Sequence, residues 1–210
     1  MQQETSRHQC LIYEGAPSKK LPVITAVIRR KLNEGYRCMY LNSAPMVTGL
    51  RSYMASTGVD VVSEIAKARL ILSSEPVTRG RVFDIDGMLF KLEDALNQAL
   101  KDGYKGLWAT GDMSWEFGIE KDFRSLLEYE WRLEELFRRR PEISGICQYH
   151  QGTLPPQVMR EGLIAHQSVF VNETLTRINP HHVASKFSDQ RATNKELDEM
   201  ITALCQFQEQ

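Results

Sequence analysis

Short strand-like segments alternate with helix-like segments along most of the chain, and this alternation constrains the fold more strongly than any other feature of the sequence. Apolar segments typical of buried strands begin near residues 8, 37, 68, 106, 143 and 168. Segments with apolar residues at helical spacing lie between them, most clearly over residues 84–99 and 123–139. Because strands joined by helices run parallel and need cover on both faces, the predicted fold class is α/β, with a mostly parallel central sheet and helices on both faces.

A change of composition near residue 184 divides the chain into two parts. Residues 1–183 carry the alternating pattern and are expected to form one domain, since a domain usually contains about 100–200 residues. Residues 184–210 are polar, and we interpret them as a linker followed by a C-terminal amphipathic helix. Helical spacing there is kept only by Leu197, Met200, Ile201 and Leu204. This helix could pack on the core, pack on a second subunit, or begin a signalling connector.

Composition and charge exclude several classes of protein. The chain has 26 Lys and Arg against 27 Asp and Glu, a formal net charge of −1, so direct binding of nucleic acid is not expected. Its apolar runs, such as residues 23–28, are far shorter than the roughly 20 residues of a membrane span, and the first residues do not resemble a signal peptide. The four scattered cysteines are expected to be reduced thiols. We therefore expect a cytoplasmic protein without membrane contact.

The loop after the first strand stands where a nucleotide-binding protein would carry its phosphate-binding loop, G-x-x-x-x-G-K-S/T. Counted from Gly15, the second glycine is replaced by Lys20, the lysine by Leu21 and the hydroxyl residue by Pro22. A proline at the start of the helix lacks the backbone N–H that would bind phosphate. The sequence therefore predicts that ATP hydrolysis by this route is lost. Lys19 and Lys20 could still attract an anion, but they are interpreted as surface residues of the loop.

Five short motifs occur in a fixed order on this scaffold. They are residues 8–13 (HQCLIY), 111–115 (GDMSW), 126–130 (LLEYE), 147–149 (CQY) and 179–180 (NP). On these residues the chain resembles the MEDS sensory domain of methanogens and methylotrophs, over about residues 7 to 183. The resemblance implies a RecA- or KaiC-like fold without a functional phosphate-binding loop, and a role in sensing simple hydrocarbon derivatives. One departure is Asp112, where the family more often has Glu.

A first candidate site involves His8 and Cys10 on the first strand and Cys147 and Tyr149 on the fifth. Residues two apart on a strand share a face, and the RecA-like strand order that the resemblance implies makes these two strands neighbours. The four side chains are then expected to converge. Three interpretations stay open: cysteines packed as apolar core residues, a metal-free ligand pocket, or a metal held by His8, Cys10, Cys147 and His150. His150 faces the other side of a regular strand, and we expect no metal and no other cofactor.

A second group of candidate ligand-binding residues comprises Tyr13, Asp112, Trp115 and Glu128. Asp112 follows the fourth strand, at the carboxyl edge where open α/β sheets bind their ligands, although it could instead cap a turn. Glu128 and Glu130 are two apart on a helix and therefore point about 200° apart, so they are not expected to form a catalytic pair. Both are interpreted as residues of a solvated face or as salt-bridge partners of Arg124, Arg132 or Arg138.

The predicted function is a non-catalytic sensory or regulatory module of prokaryotic signal transduction. As the resemblance implies, it would bind a small ligand, such as a simple hydrocarbon derivative, and we expect it to signal to a separate partner protein. A histidine kinase or a transcription regulator is the expected partner, and a homo-oligomer remains open. The alternative is a degenerate RecA-like protein that binds a nucleotide by another route or oligomerises. No catalytic triad or metalloenzyme motif favours an enzyme.

Overall fold

The protein is described here from a computed structural model that covers residues 7–79, 82–116, 123–171, 174–176 and 194–206. The strands are β1 (His8–Tyr13), β2 (Arg37–Leu41), β3 (Leu70–Ser73), β4 (Thr78–Arg79), β5 (Val82–Phe83), β6 (Leu107–Asp112), β7 (Ile143–His150), β8 (Ser168–Val171) and β9 (Thr174–Thr176). The helices are α1 (Leu21–Asn33), α2 (Ala44–Ser56), α3 (Val61–Ala66), α4 (Ile85–Lys101), α5 (Met113–Glu116), α6 (Phe123–Arg139), α7 (Pro156–Ala165) and α8 (Asn194–Gln206). The predicted α/β fold class is confirmed.

Seven strands form one sheet in the order β3-β2-β6-β7-β1-β8-β9. The first six run parallel, and β9 adds to β8 in the antiparallel direction. β1 lies between β7 and β8, with Cys10 directly opposite Cys147. The strands predicted near residues 8 and 143 are β1 and β7, so the expectation that they are neighbours is confirmed. β4 and β5 form a separate antiparallel pair.

Two apolar layers enclose the sheet, because alternate residues of each strand face opposite sides. In β1, Cys10 and Ile12 face the layer built with α4, α6, α7 and α8, while Leu11 and Tyr13 face the layer built with α1, α2 and α3. Cys10, Cys38 and Cys147 are buried in strands and Cys205 is exposed, and all four are free thiols. This agrees with the expectation of reduced cysteines.

Side chains and a proline satisfy the first turns of several helices. The carboxylate of Asp60 accepts the backbone N–H of Ser63, and that of Asp84 accepts the backbone N–H of Gly87. Pro22 lies in the first turn of α1, where its missing N–H costs no helical hydrogen bond. A short 3₁₀ helix over Pro17–Lys20 precedes α1, in the segment that the sequence indicated as an open loop.

The C-terminal helix α8 packs on the core of the same chain. Its residues Leu197 and Leu204 are buried in the apolar layer that contains α6 and α7. The helix contacts α7 and β8. Of the three arrangements that the sequence left open for this helix, the structure has the first. Among the described helices, none combines the length and the apolar character that a membrane span requires.

Candidate functional site

Four polar side chains from four different elements meet in the buried layer between the sheet and helices α6 and α7. They are His8 at the start of β1, Cys147 in β7, Glu130 in α6 and His166 immediately after α7. His8 Nε2 lies 3.3 Å from Cys147 Sγ, 3.2 Å from Glu130 Oε2 and 3.0 Å from His166 Nε2. Glu130 Oε2 lies 3.5 Å from both His166 Nε2 and Cys147 Sγ. We call these four residues the His8 cluster.

A second ring of hydrogen bonds orients the side chains of the His8 cluster. His8 Nδ1 lies 2.8 Å from Glu134 Oε2, and His166 Nδ1 lies 2.5 Å from the carbonyl oxygen of Gly162. The hydroxyl of Tyr149 donates to Glu130 Oε1 over 2.5 Å. The Nε2 atoms of both histidines and the Oε2 atom of Glu130 are thereby directed toward one point.

Glu130 enters the core because it lies on the apolar stripe of α6. Its helical neighbours at spacings of three and four are Leu126 and Leu133, both buried. Only 1% of the Glu130 side chain is exposed, against 61% for Glu128 two positions earlier. The predicted divergence of the two carboxylates is confirmed, but the interpretation of Glu130 as a solvated residue is wrong.

The His8 cluster holds a strongly polarised set of charges. Burial alone would lower the pKa of His8, but hydrogen bonds to Glu130 and Glu134 raise that pKa to about 9. Burial and the charge of His8 lower the pKa of His166 to about 4. Burial would raise the pKa of Glu130, yet the two histidines and the Tyr149 hydroxyl lower it to about 2. The site thus favours an anionic carboxylate facing a cation.

Cys10 and Tyr149 border the same carboxylate. Burial, together with the negative charge of Glu130, raises the pKa of the Cys10 thiol and of the Tyr149 phenol. Both groups are therefore neutral near pH 7. The structure brings together His8, Cys10, Cys147 and Tyr149, as the sequence analysis expected; their role in binding a ligand remains a prediction.

A small cavity of about 20 Å³ touches the His8 cluster at Cys147. The other residues that line it are mostly apolar and come from β6, β7, α6 and their neighbours, among them Ala109, Met113, Tyr129, Leu133 and Phe137. A space of this size is about that of one water molecule. A larger guest would have to move α6 or repack its side chains.

A second buried constellation lies at the carboxyl edge of the sheet, on the opposite layer. Lys20 Nζ approaches Asp112 Oδ2 to 2.5 Å and lies 3.7 Å from the centre of the Tyr13 ring. The Tyr13 hydroxyl donates to the same Oδ2 over 2.6 Å, while the backbone N–H and hydroxyl of Ser114 donate to Oδ1. Lys20 is buried, so the interpretation of this lysine as a surface residue is wrong.

The Lys20 and Asp112 charges stabilise each other. Burial would raise the pKa of Asp112, but the ammonium of Lys20 and the hydrogen bonds from Ser114 and Tyr13 hold it below its ordinary value of 3.8. Burial lowers the pKa of Lys20, and the carboxylate acts in the opposite direction. The carboxylate of Asp112 therefore has its counter-charge, Lys20, within the chain.

The remaining predicted site residues lie outside both constellations. His150 faces the side of Tyr13, where its Nε2 lies 2.9 Å from the carbonyl oxygen of Gly15, so the structure does not place it with Cys147. Glu128 is exposed and pairs with Arg132 at 3.7 Å, away from Asp112. The side chain of Trp115 and the motif at residues 179–180 lie outside the described part of the chain. Glu130, His166 and Lys20 were not predicted.

A wider cavity of about 480 Å³ opens at the amino ends of β1 and β7, beside the end of α1. Charged side chains contribute much of its lining, including Arg7, Arg30, Lys31 and Glu34. Such a lining suits a polar guest better than a hydrocarbon derivative.

Similar known proteins identify the fold of this chain and its family. The chain is similar to the crystal structure of a KaiC-like protein from the hyperthermophilic archaeon Pyrococcus horikoshii OT3, with a TM-score of 0.56 over 79% of this chain and 72% of that one, at 15% sequence identity. At this identity the likeness shows the fold alone. No curated protein matches the sequence. The profile of the family described as MEDS, MEthanogen/methylotroph, DcmR Sensory domain, matches residues 7–167, and the chain therefore belongs to the MEDS family of sensory domains.

Proposed function

We propose that the protein is a non-catalytic sensory or regulatory module that binds a small ligand and signals to a protein partner. The observation that carries this proposal is the match of residues 7–167 to a sensory-domain family. The ligand class that we propose is a simple hydrocarbon derivative, and the partner is a histidine kinase or a transcription regulator of a prokaryotic signalling pathway.

The constellation at Asp112 supports a role other than nucleotide hydrolysis. A phosphate-binding loop directs backbone N–H groups and a lysine toward the ligand. Here the Lys20 ammonium is directed at Asp112, at 2.5 Å, and Pro22 removes one N–H from the first turn of α1. A bound Mg-nucleotide would have to displace this ion pair.

The surroundings of the His8 cluster support this layer as the place where a small ligand acts. The cavity beside Cys147 is lined mainly by apolar side chains and has room for about one water molecule. Because protein interiors are close-packed, a ligand that enters there displaces some of the lining side chains, and we propose that these are Tyr129 and Leu133 on α6. Binding and a shift of α6 are then the same event, which is what a sensor requires.

The contacts of α8 support a route from the His8 cluster to the surface. His166 stands between α7 and β8, and α8 packs on both of these elements. A change at His166 therefore alters the surface on which α8 rests. We propose that a partner reads the position or the exposure of this helix.

A thermal-shift screen tests the proposal. Halocarbons, small alcohols and methylated amines are added separately to the purified chain, with Mg-ATP and Mg-GTP as the comparison set. We expect one of the hydrocarbon derivatives to raise the unfolding midpoint, because a ligand that prefers the folded state stabilises it. The variant Ala109→Val, which fills the small cavity from β6, should lose the response. Stabilisation by a nucleotide alone would favour the nucleotide-binding alternative.

A further inference from the structure

We infer that the His8 cluster is a metal site, in which His8, Glu130, Cys147 and His166 bind one zinc ion in tetrahedral geometry. One ligand atom from each residue lies within 4.8 Å of every other, and all four residues are buried. The family description names no metal, and the inference does not rest on the proposed sensory function.

The distances between the donor atoms match those of a tetrahedral zinc site. With Zn–N and Zn–O bonds of about 2.0–2.2 Å and a Zn–S bond of about 2.3 Å, neighbouring donor atoms lie about 3.3–3.6 Å apart. The distances from His8 Nε2 to the other three donors are 3.0, 3.2 and 3.3 Å. Those from Glu130 Oε2 to His166 and Cys147 are both 3.5 Å. These five distances lie within about 0.4 Å of the tetrahedral values, and the sixth, from His166 Nε2 to Cys147 Sγ, is at most 4.8 Å.

The hydrogen bonds of the two histidines fix the tautomer that a metal needs. The carbonyl of Gly162 can only accept, so His166 Nδ1 carries the proton and its neutral Nε2 presents a lone pair. Glu134 likewise accepts from Nδ1 of His8. Metal-bound histidines usually donate their other N–H to a carboxylate or a backbone carbonyl, and this chain has one of each.

The orientation of these groups calls for a cation at the centre. His8 Nε2, His166 Nε2 and Glu130 Oε2 face one another in a buried space, where without a metal a proton on His8 Nε2 has to bridge two acceptors. A proton on one Nε2 satisfies part of the set. A divalent ion contacts all four donors at once, and Cys147 then supplies a thiolate.

The donor set also indicates which metal is bound. Two imidazoles, one thiolate and one carboxylate in a closed tetrahedral arrangement suit Zn²⁺, and they do not suit the oxygen-rich, six-coordinate sites of Mg²⁺ or Ca²⁺. Because the ligands come from β1, α6, β7 and the end of α7, the ion would join four elements that are distant in sequence. Its site is closed, as in structural zinc centres.

The test uses zinc and cobalt as probes in the Cys205→Ser background, which removes the exposed thiol. The untagged chain is produced in medium with added Zn²⁺ or Co²⁺, and its metal content is measured by mass spectrometry. We expect about one ion per chain, and for cobalt the intense visible bands of a tetrahedral site with a thiolate charge-transfer band. Cys147→Ala should lose this band and the bound ion. Glu134→Gln should weaken binding by about 10- to 100-fold.

Cys10→Ala is the matched control, because Cys10 is equally buried and lies opposite Cys147 on the neighbouring strand but is not one of the four donors. It should keep the ion. If Cys147→Ala fails to fold, the cobalt spectrum of the triple variant Cys10→Ala, Cys38→Ala and Cys205→Ser is measured instead. Cys147 is then the single cysteine of the chain, so a thiolate band must come from it. Substoichiometric metal in the parent, or cobalt without a thiolate band, overturns the inference. A negative result in the ligand screen leaves it unaffected.

Discussion

The ion pair of Lys20 and Asp112 shows most directly how single residues determine what this fold can bind. Replacing Lys20 with Met leaves the Asp112 carboxylate buried beside Tyr13 and Ser114 without its cation. We expect a loss of about 3–5 kcal/mol in the free energy of unfolding, the usual effect of removing one partner of a buried pair. Urea unfolding followed by circular dichroism measures this loss.

The double variant Lys20→Met, Asp112→Asn is the control for this prediction. It removes both charges, so no unpaired charge stays buried, and the loss should be smaller than the sum of the two single losses. Additive losses would show that the two residues act independently, contrary to the 2.5 Å contact between them.

The same pair predicts an acid limit of stability. The pKa of Asp112 in the folded chain lies below its ordinary value of 3.8, so the folded state binds a proton at lower pH than the unfolded state does. The stabilisation from Asp112 is then fully present above about pH 4 and is lost as the pH falls through the folded pKa. In urea titrations at decreasing pH, the parent should lose stability relative to the double variant below about pH 4. If the difference in free energy of unfolding between the parent and the double variant did not change with pH, Asp112 would not be the group that sets the acid limit.

Individual site residues could be predicted only where the side-chain period of a strand or helix, or the pairing of two strands, fixed their position. The period of two along strands, with the strand order implied by the family resemblance, brought His8, Cys10, Cys147 and Tyr149 together correctly. Glu130 carried a signal that was available, since it shares the helical stripe of Leu126 and Leu133. His166 had none, because it follows α7 in a junction where no periodicity applies.

At the scale of elements, the fit of α7 against β7 depends on a glycine. A Cβ atom added to Gly162 would lie 2.4 Å from the ring of Tyr149, which is fully buried and bonded to Glu130. Gly162→Ala should therefore destabilise the chain by about 1–3 kcal/mol, although alanine is the better helix former. The midpoint and slope of urea unfolding give the value.

Gly49 in α2 provides the matched comparison. A Cβ atom at this position meets only Leu21 Cδ1, at 3.2 Å, the end of a flexible side chain. Gly49→Ala should be neutral or stabilise the chain by up to about 1 kcal/mol. Equal losses at the two positions would show that the close contact with Tyr149 is not the cause.

The packing of α8 on the chain itself is testable with two adjacent residues. Leu204 is fully buried and Cys205 is exposed. Leu204→Ala should cost about 2–5 kcal/mol through the lost contacts and the cavity that remains, whereas Cys205→Ala should change the free energy of unfolding by less than about 0.5 kcal/mol. Similar small effects of both substitutions would mean that α8 does not contribute to the stability of the folded chain.

Most elements could be predicted from the sequence, because the apolar segments of the strands and the helical spacing of apolar residues between them are visible in it. The bounds of α6 agree with residues 123–139, and β8 begins at residue 168 as predicted. The hairpin of β4 and β5 could not be predicted. Each of its strands has two residues, too few for a period of two to be visible.

At the scale of the whole molecule, the two apolar layers hold two different polar sites. The His8 cluster lies in the layer of α6 and α7, and the pair of Lys20 and Asp112 lies in the layer of α1. The sheet between them has the parallel order of a RecA-like fold, whose ligands usually lie at the carboxyl edge. The ammonium group of Lys20 occupies that edge. Each layer therefore holds its own set of polar groups, and the two sets do not share a residue.

This arrangement predicts that the protein neither hydrolyses ATP nor binds Mg-ATP with useful affinity. Binding would break the contact of Lys20 with Asp112 and would find Pro22 in place of an N–H donor. We expect a dissociation constant weaker than millimolar, which corresponds to a binding free energy weaker than about −4 kcal/mol. Isothermal titration with Mg-ATP and an assay of phosphate release measure both properties. Micromolar binding, or turnover that is lost in Lys20→Met, would show that Lys20 serves a nucleotide and not Asp112.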